Sequence, residues 1–145
     1  MLVQILVGAS VSALNIVIHA LLTVSTIGAV RSLASRDTLH PWLRLMAIMI
    51  ATVLVLMAAH TLEVFVWSVA YAITNAAPEN ADLTYFAFVN YTTLGYGDIT
   101  PVARWRLLGP MTAMNGVLLF GWSTAVIFEV LRKTISEYAA FAPPT

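Results

Sequence analysis

Three long apolar runs, residues 2–30, 43–73 and 107–131, alternate with short polar stretches. Each run is long enough to cross a hydrocarbon core of about 30 Å as a helix. The pattern predicts an all-α membrane protein with three transmembrane helices. Polar residues are spread along the first run, and two of them, Asn15 and His19, stand one turn apart on one face, which suits hydrogen bonding to another helix. A fourth segment, residues 83–92, is too short to span. Asp82 stands before it as a helix N-cap, so a re-entrant helix is expected, its loose end buried in protein or lining a wet pathway. The chain then divides into an extra N-terminal helix (1–31), which we place at the lipid-facing periphery, a cytoplasmic loop (32–42) and a pore module (43–132). Within that module lie an outer helix (43–73), a turret (74–82), the short helix (83–92), a loop (93–98) and an inner helix (106–132), followed by a short cytoplasmic tail (133–145).

Composition agrees with lipid as the solvent. Of 145 residues, 60% are hydrophobic and 10% charged, more apolar surface than a soluble domain of this size can hide. The formal net charge of zero gives no basis for binding nucleic acid, and the lack of cysteine removes disulfides and thiolate metal sites. Met1 to Gln4 lack the basic region of a cleaved signal, so the first run is expected to remain as a span. Arg31, Arg36 and Arg44 fall on one side with Arg132 and Lys133, whereas Arg104 and Arg106 fall on the other with Glu79, Asp82 and Asp98. The positive-inside rule then puts the N-terminus outside and the C-terminus in the cytoplasm, in a cell membrane. The arginine spacing is not the every-third-residue ladder of a voltage sensor.

Between the short helix and the third run lies Thr93-Leu94-Gly95-Tyr96-Gly97-Asp98. Two glycines one residue apart allow φ > 0 at alternate positions, so successive carbonyls can point to one side. Together with Thr92 this stretch resembles the selectivity filter of the tetrameric pore-loop potassium channels, with Leu94 where the family usually has Val. The resemblance covers residues 43–131 and implies a homotetramer in lipid that passes K⁺ and needs no organic cofactor. Carbonyls of Thr93, Leu94, Gly95 and Tyr96, with the Thr93 hydroxyl, would hold the ion, while Gly97 permits the geometry. Tyr85 would stand in for a tryptophan that bonds Asp98. Val89 takes the place of a filter-supporting glutamate found in one bacterial subgroup. Gly116 aligns with the inner-helix hinge, and Val117, Phe120, Thr124, Ala125 and Phe128 align with cavity and gate positions. A non-conducting accessory or scaffold subunit, or part of a K⁺ uptake transporter, are the alternatives, although transporters of that type carry four unequal repeats.

The membrane runs also hold charged and polar groups. His60 and Glu63 form an i, i+3 pair, and a carboxylate in a membrane helix is costly unless paired, protonated or wet. The expected partner of Glu63 is the back of the short helix or Asn90. A metal would need a third ligand, and neither that nor a nucleophile lies at helical spacing from the pair, which argues against an enzyme. Trp67 and Tyr71 are expected at the outer interface, where amphipathic rings collect. Glu129 suits a salt bridge with Arg132 or a carboxylate ring near the inner mouth.

Overall fold

A computed structural model describes residues 1–34 and 40–141; Arg36 of the expected loop and the last four residues of the tail lie outside them. The described elements are helices α1 (Leu2–Ala34), α2 (Pro41–Thr74), α3 (Leu83–Tyr91) and α4 (Leu108–Phe141), with a 3-10 turn at Ala103–Trp105 before α4. No strand occurs among the described residues. Three segments are long and apolar enough to cross a membrane, Leu2–Thr26, Trp42–Thr74 and Ala103–Ser136, as a multi-pass membrane protein requires. The helices outrun the apolar runs: α1 continues to Ala34 and α4 to Phe141. Hydropathy marks where lipid ends, and helical hydrogen bonding continues past that point.

Local chemistry sets several of the ends. Pro41 occupies the first turn of α2, where its missing N–H is no loss. At the other end Asn75 turns left-handed (φ 51°), and the Ala76 N–H donates to the Tyr71 carbonyl at 3.1 Å. Asp82 caps α3 as its position predicts, accepting from the Tyr85 N–H at 3.0 Å. The start of α4 is capped from outside the helix. The Leu107 N–H donates to Gln4 Oε1 of α1 at 2.9 Å, satisfying a donor that has no partner within the helix.

The main core lies between α2, α3 and α4, around Val64, Trp67, Tyr71, Phe86, Tyr91 and Leu108. Trp67 and Tyr71 are fully buried in it, which corrects their expected place at the membrane interface. Their polar atoms have partners on α4 that make burial tolerable: Trp67 Nε1 donates to Asn115 Oδ1 at 3.0 Å, and the Tyr71 hydroxyl pairs with Thr112 Oγ1 at 2.6 Å. Helix α1 packs on both α2 and α4. It buries Asn15, His19, Thr23 and Thr26 on one side and exposes Leu14, Val17, Leu21 and Val24 on the other. Gly8 brings it close to α4, since a Cβ there would meet Met111 Sδ at 2.5 Å.

Asn115 ties three helices together at one atom. Its Oδ1 accepts from Trp67 on α2 and from Asn15 Nδ2 on α1, both at 3.0 Å, while Asn15 Nδ2 also reaches the Glu63 carbonyl at 3.2 Å. In Asn115→Ala both donors lose that acceptor in a buried setting, at a cost of about 1–3 kcal/mol. The expected outcome is a lowered thermal unfolding midpoint in detergent, and an unchanged midpoint would show that this node contributes nothing to stability.

Candidate functional site

The loop after α3 turns back along the last turn of that helix. The Thr93 N–H donates to the Asn90 carbonyl at 3.0 Å, and the Val89 carbonyl accepts from Leu94 at 3.0 Å and Gly95 at 3.4 Å. Beyond this turn the backbone alternates in hand: φ is +60° at Thr93, +61° at Gly95 and +78° at Gly97, and it is not positive at Leu94 or Tyr96. Alternation of this kind carries successive carbonyls toward one side of the strand. The two glycines were legible as the residues that permit it. Thr93 was not, because a β-branched residue at positive φ carries strain of roughly 1–3 kcal/mol and persists only where its surroundings fix it. Residues 92–98 are all exposed in a single chain, including 53% of Leu94 and 68% of Tyr96.

Two anchors hold the ends of the loop. Asp98 Oδ2 accepts from the Tyr85 hydroxyl at 2.7 Å, the contact expected from the sequence. Further on, the Val102 N–H donates to the Ala76 carbonyl at 2.8 Å and joins the descending chain to the end of α2. Beside Tyr85, Phe86 faces the other way and packs on Tyr71 with centroids 4.7 Å apart and the rings tilted at 38°. Val89 is buried; its side chain offers no hydrogen bond, and its carbonyl supports the loop instead.

On α4, Gly116 lies directly behind the end of α3. A Cβ at Gly116 would run into the Tyr91 carbonyl oxygen, so this glycine is required for close packing. Val117, Thr124, Ala125 and Phe128 are exposed along α4. Phe120 departs from this stripe: it is half-buried, with its ring 4.6 Å from that of His60 and 5.3 Å from that of Tyr91. Glu129 pairs with Arg132 at 2.9 Å and Lys133 at 3.2 Å, the salt-bridge role rather than a free carboxylate.

Glu63 sits at the centre of a second polar group and is fully buried. Its Oε1 lies 2.8 Å from His19 Nδ1 of α1, and its Oε2 lies 3.0 Å from His60 Nδ1 and accepts from the Tyr91 hydroxyl of α3. The expected contact with the back of α3 is therefore made through Tyr91. Asn90 turns elsewhere, donating to the Tyr71 hydroxyl at 3.3 Å. Ser123 of α4 closes the group, its Oγ 2.9 Å from His60 Nε2 and 3.3 Å from His19 Nε2. Ser123 is a member that sequence reasoning did not name, and His19, expected to hydrogen-bond another helix, was not paired with Glu63. The face that His19 shares with Asn15 was the available signal, since a polar face on a membrane helix must be answered by another helix.

The bond from Tyr85 holds the Asp98 carboxyl below the usual aspartate range, against a smaller opposing effect of desolvation. A carboxyl with a depressed value stabilises the fold when ionised, so this contribution is full above the ordinary aspartate range and is lost as pH falls through the depressed value. Tyr85→Phe is expected to move the Asp98 titration up toward the ordinary value. Carboxyl-carbon NMR titration reads the shift directly, and an unmoved titration would deny the bond its role at the loop.

With this geometry in view, residues 59–133, about half of the chain, match a family model described as an ion channel. The match takes in the last part of α2, all of α3, the loop and most of α4. No curated protein and no solved structure matches the chain. The chain therefore belongs to this ion channel family, a family of membrane channels and not of enzymes.

Proposed function

We propose that the protein is a potassium-selective channel, a homotetramer in a cell membrane in which four copies of residues 93–98 surround one axis. The observation that carries this reading is the alternation of backbone hand at Thr93, Gly95 and Gly97 within Thr-Leu-Gly-Tyr-Gly-Asp. Backbone of that form offers a column of carbonyl oxygens in place of the water around a dehydrated K⁺. Four chains supply the oxygens that one strand lacks, and the exposure of Leu94 and Tyr96 in a single chain accords with surfaces that neighbouring copies cover.

In this reading Thr93, Leu94, Gly95 and Tyr96 hold the permeant ions in single file, and repulsion between neighbours lets them leave quickly. Gly97 keeps the strand in form, while Tyr85 and Asp98 brace its outer end. Helix α3 re-enters the membrane from outside and ends beside the inner vestibule, where its terminal carbonyls favour a waiting cation. Gly116 serves as the packing point of the inner helix, and Val117, Thr124 and Phe128 line a mostly apolar vestibule. The N-terminus lies outside and the C-terminus in the cytoplasm, as the distribution of Arg and Lys implies.

Purified protein in liposomes is expected to pass K⁺ without a partner and to prefer it over Na⁺ under bi-ionic conditions. In Gly95→Ala the residue must adopt φ +61° with a Cβ, at a cost of roughly 1–2 kcal/mol, and the strand loses its form. That variant should insert normally and lose K⁺ flux. Undiminished K⁺-selective flux in Gly95→Ala refutes the filter assignment; a silent wild type across pH, voltage and calcium favours a scaffold subunit.

A further inference from the structure

We propose that His19, His60 and Glu63 form a binding site for one divalent transition-metal ion, with Zn²⁺ as the best fit, which fastens α1 to the core behind the loop. One donor atom from each of the three residues lies within 4.8 Å of the others. Two imidazoles and a carboxylate are a donor set that zinc accepts, with each bond about 2.0–2.2 Å long. Tetrahedral donors at those lengths stand about 3.4 Å apart. The present nitrogen–oxygen contacts of 2.8 and 3.0 Å are made to opposite oxygens of Glu63, so one ion meets both rings by taking both oxygens or after one ring shifts toward the other's oxygen. The Tyr91 hydroxyl, 2.9 Å from His60 Nδ1, lies next to these donors.

The count of hydrogens leaves room for a cation at this place but does not demand one, since a mixed pair of tautomers closes it: His19 donates to Glu63, His60 to Ser123, Ser123 to His19 and Tyr91 to His60. Both Nδ1 atoms face Glu63 and both Nε2 atoms face the single hydroxyl of Ser123. Neutral rings that donate from Nδ1 leave two Nε2 acceptors and only one serine hydrogen to serve them. Neutral rings that donate from Nε2 satisfy Ser123, whose oxygen accepts twice, but they turn two Nδ1 lone pairs on a carboxylate. A metal ion between the Nδ1 atoms and Glu63 makes that second arrangement attractive, and Ser123 becomes the outer partner that orients both imidazoles. Aromatic rings shield the cluster, Phe120 at 4.6 Å from His60 and Trp122 at 5.4 Å from His19. The side chain of His60 keeps 16% of its surface exposed and gives the ion a way in.

This site depends on the fold alone and stands whether or not the pore selects potassium. The full chain, purified in detergent and stripped with a chelator, would be exposed to ZnCl₂, passed through gel filtration and assayed for metal. One zinc per chain and a thermal midpoint raised by zinc are expected. His19→Ala, eluting as the wild type does, should bind zinc at least tenfold more weakly, whereas His40→Ala, altering the exposed histidine outside the cluster, should bind it normally. If His19→Ala does not fold, substitution of Co²⁺ into the wild type should show the visible absorption of a tetrahedral site. Metal-free wild-type protein after zinc exposure overturns the proposal and leaves the mixed pair of neutral tautomers as the state of the cluster. Full binding by folded His19→Ala, or cobalt that remains octahedral, also overturns it.

Discussion

A carboxylate inside a membrane-spanning helix must be answered at both oxygens, and the packing of this chain follows from how Glu63 is answered. One oxygen turns to His19 of α1; the other turns to His60 of its own helix and to Tyr91 at the end of α3. Ser123 of α4 closes the group from the remaining side. Each helix therefore carries at least one group that would be costly to leave facing lipid. The first helix is joined to the same core at two further levels, through Asn15 to Asn115 and through Gln4 to the first turn of α4.

The Thr93–Asp98 backbone depends on this frame. An alternating hand is not a form that a free chain keeps, least of all at a threonine. Here the Val89 carbonyl pins the first end, Tyr85 holds Asp98 at the far end, and α3 itself is fixed by Tyr91 and by the tilted contact of Phe86 with Tyr71. Glu63 and the loop thus share one element, with Tyr91 placed between them.

What the sequence made legible was mostly local. Asp82 as a cap and left-handed backbone at Gly95 and Gly97 follow from neighbours a few residues apart, where spacing limits the geometry, whereas Tyr85 beside Asp98, 13 positions away, was legible only through the resemblance to a known filter. The approach of His19 to Glu63 spans 44 positions, and nothing in the periodicity of either run specifies which faces meet. Trp67 and Tyr71 were misplaced for a related reason: amphipathic rings suit an interface equally well until Asn115 and Thr112 supply buried partners. The positive φ of Thr93 was not legible because it runs against the residue's own preference and is imposed from outside.

The absence of a side chain at Gly116 leaves the main chains of α3 and α4 touching, with nothing deformable between them. A rigid rod resting on a single hard point behaves as a lever on a fulcrum. Beyond Gly116 the helix is held again, by Ser123 at His60 and His19 and by Val126 and Val130 against Ile48 and Leu56, so a tilt of α4 about this contact has to break those ties first. Any such tilt moves the backbone least at Gly116 and most at the end that carries Phe128 and the Glu129–Arg132 pair.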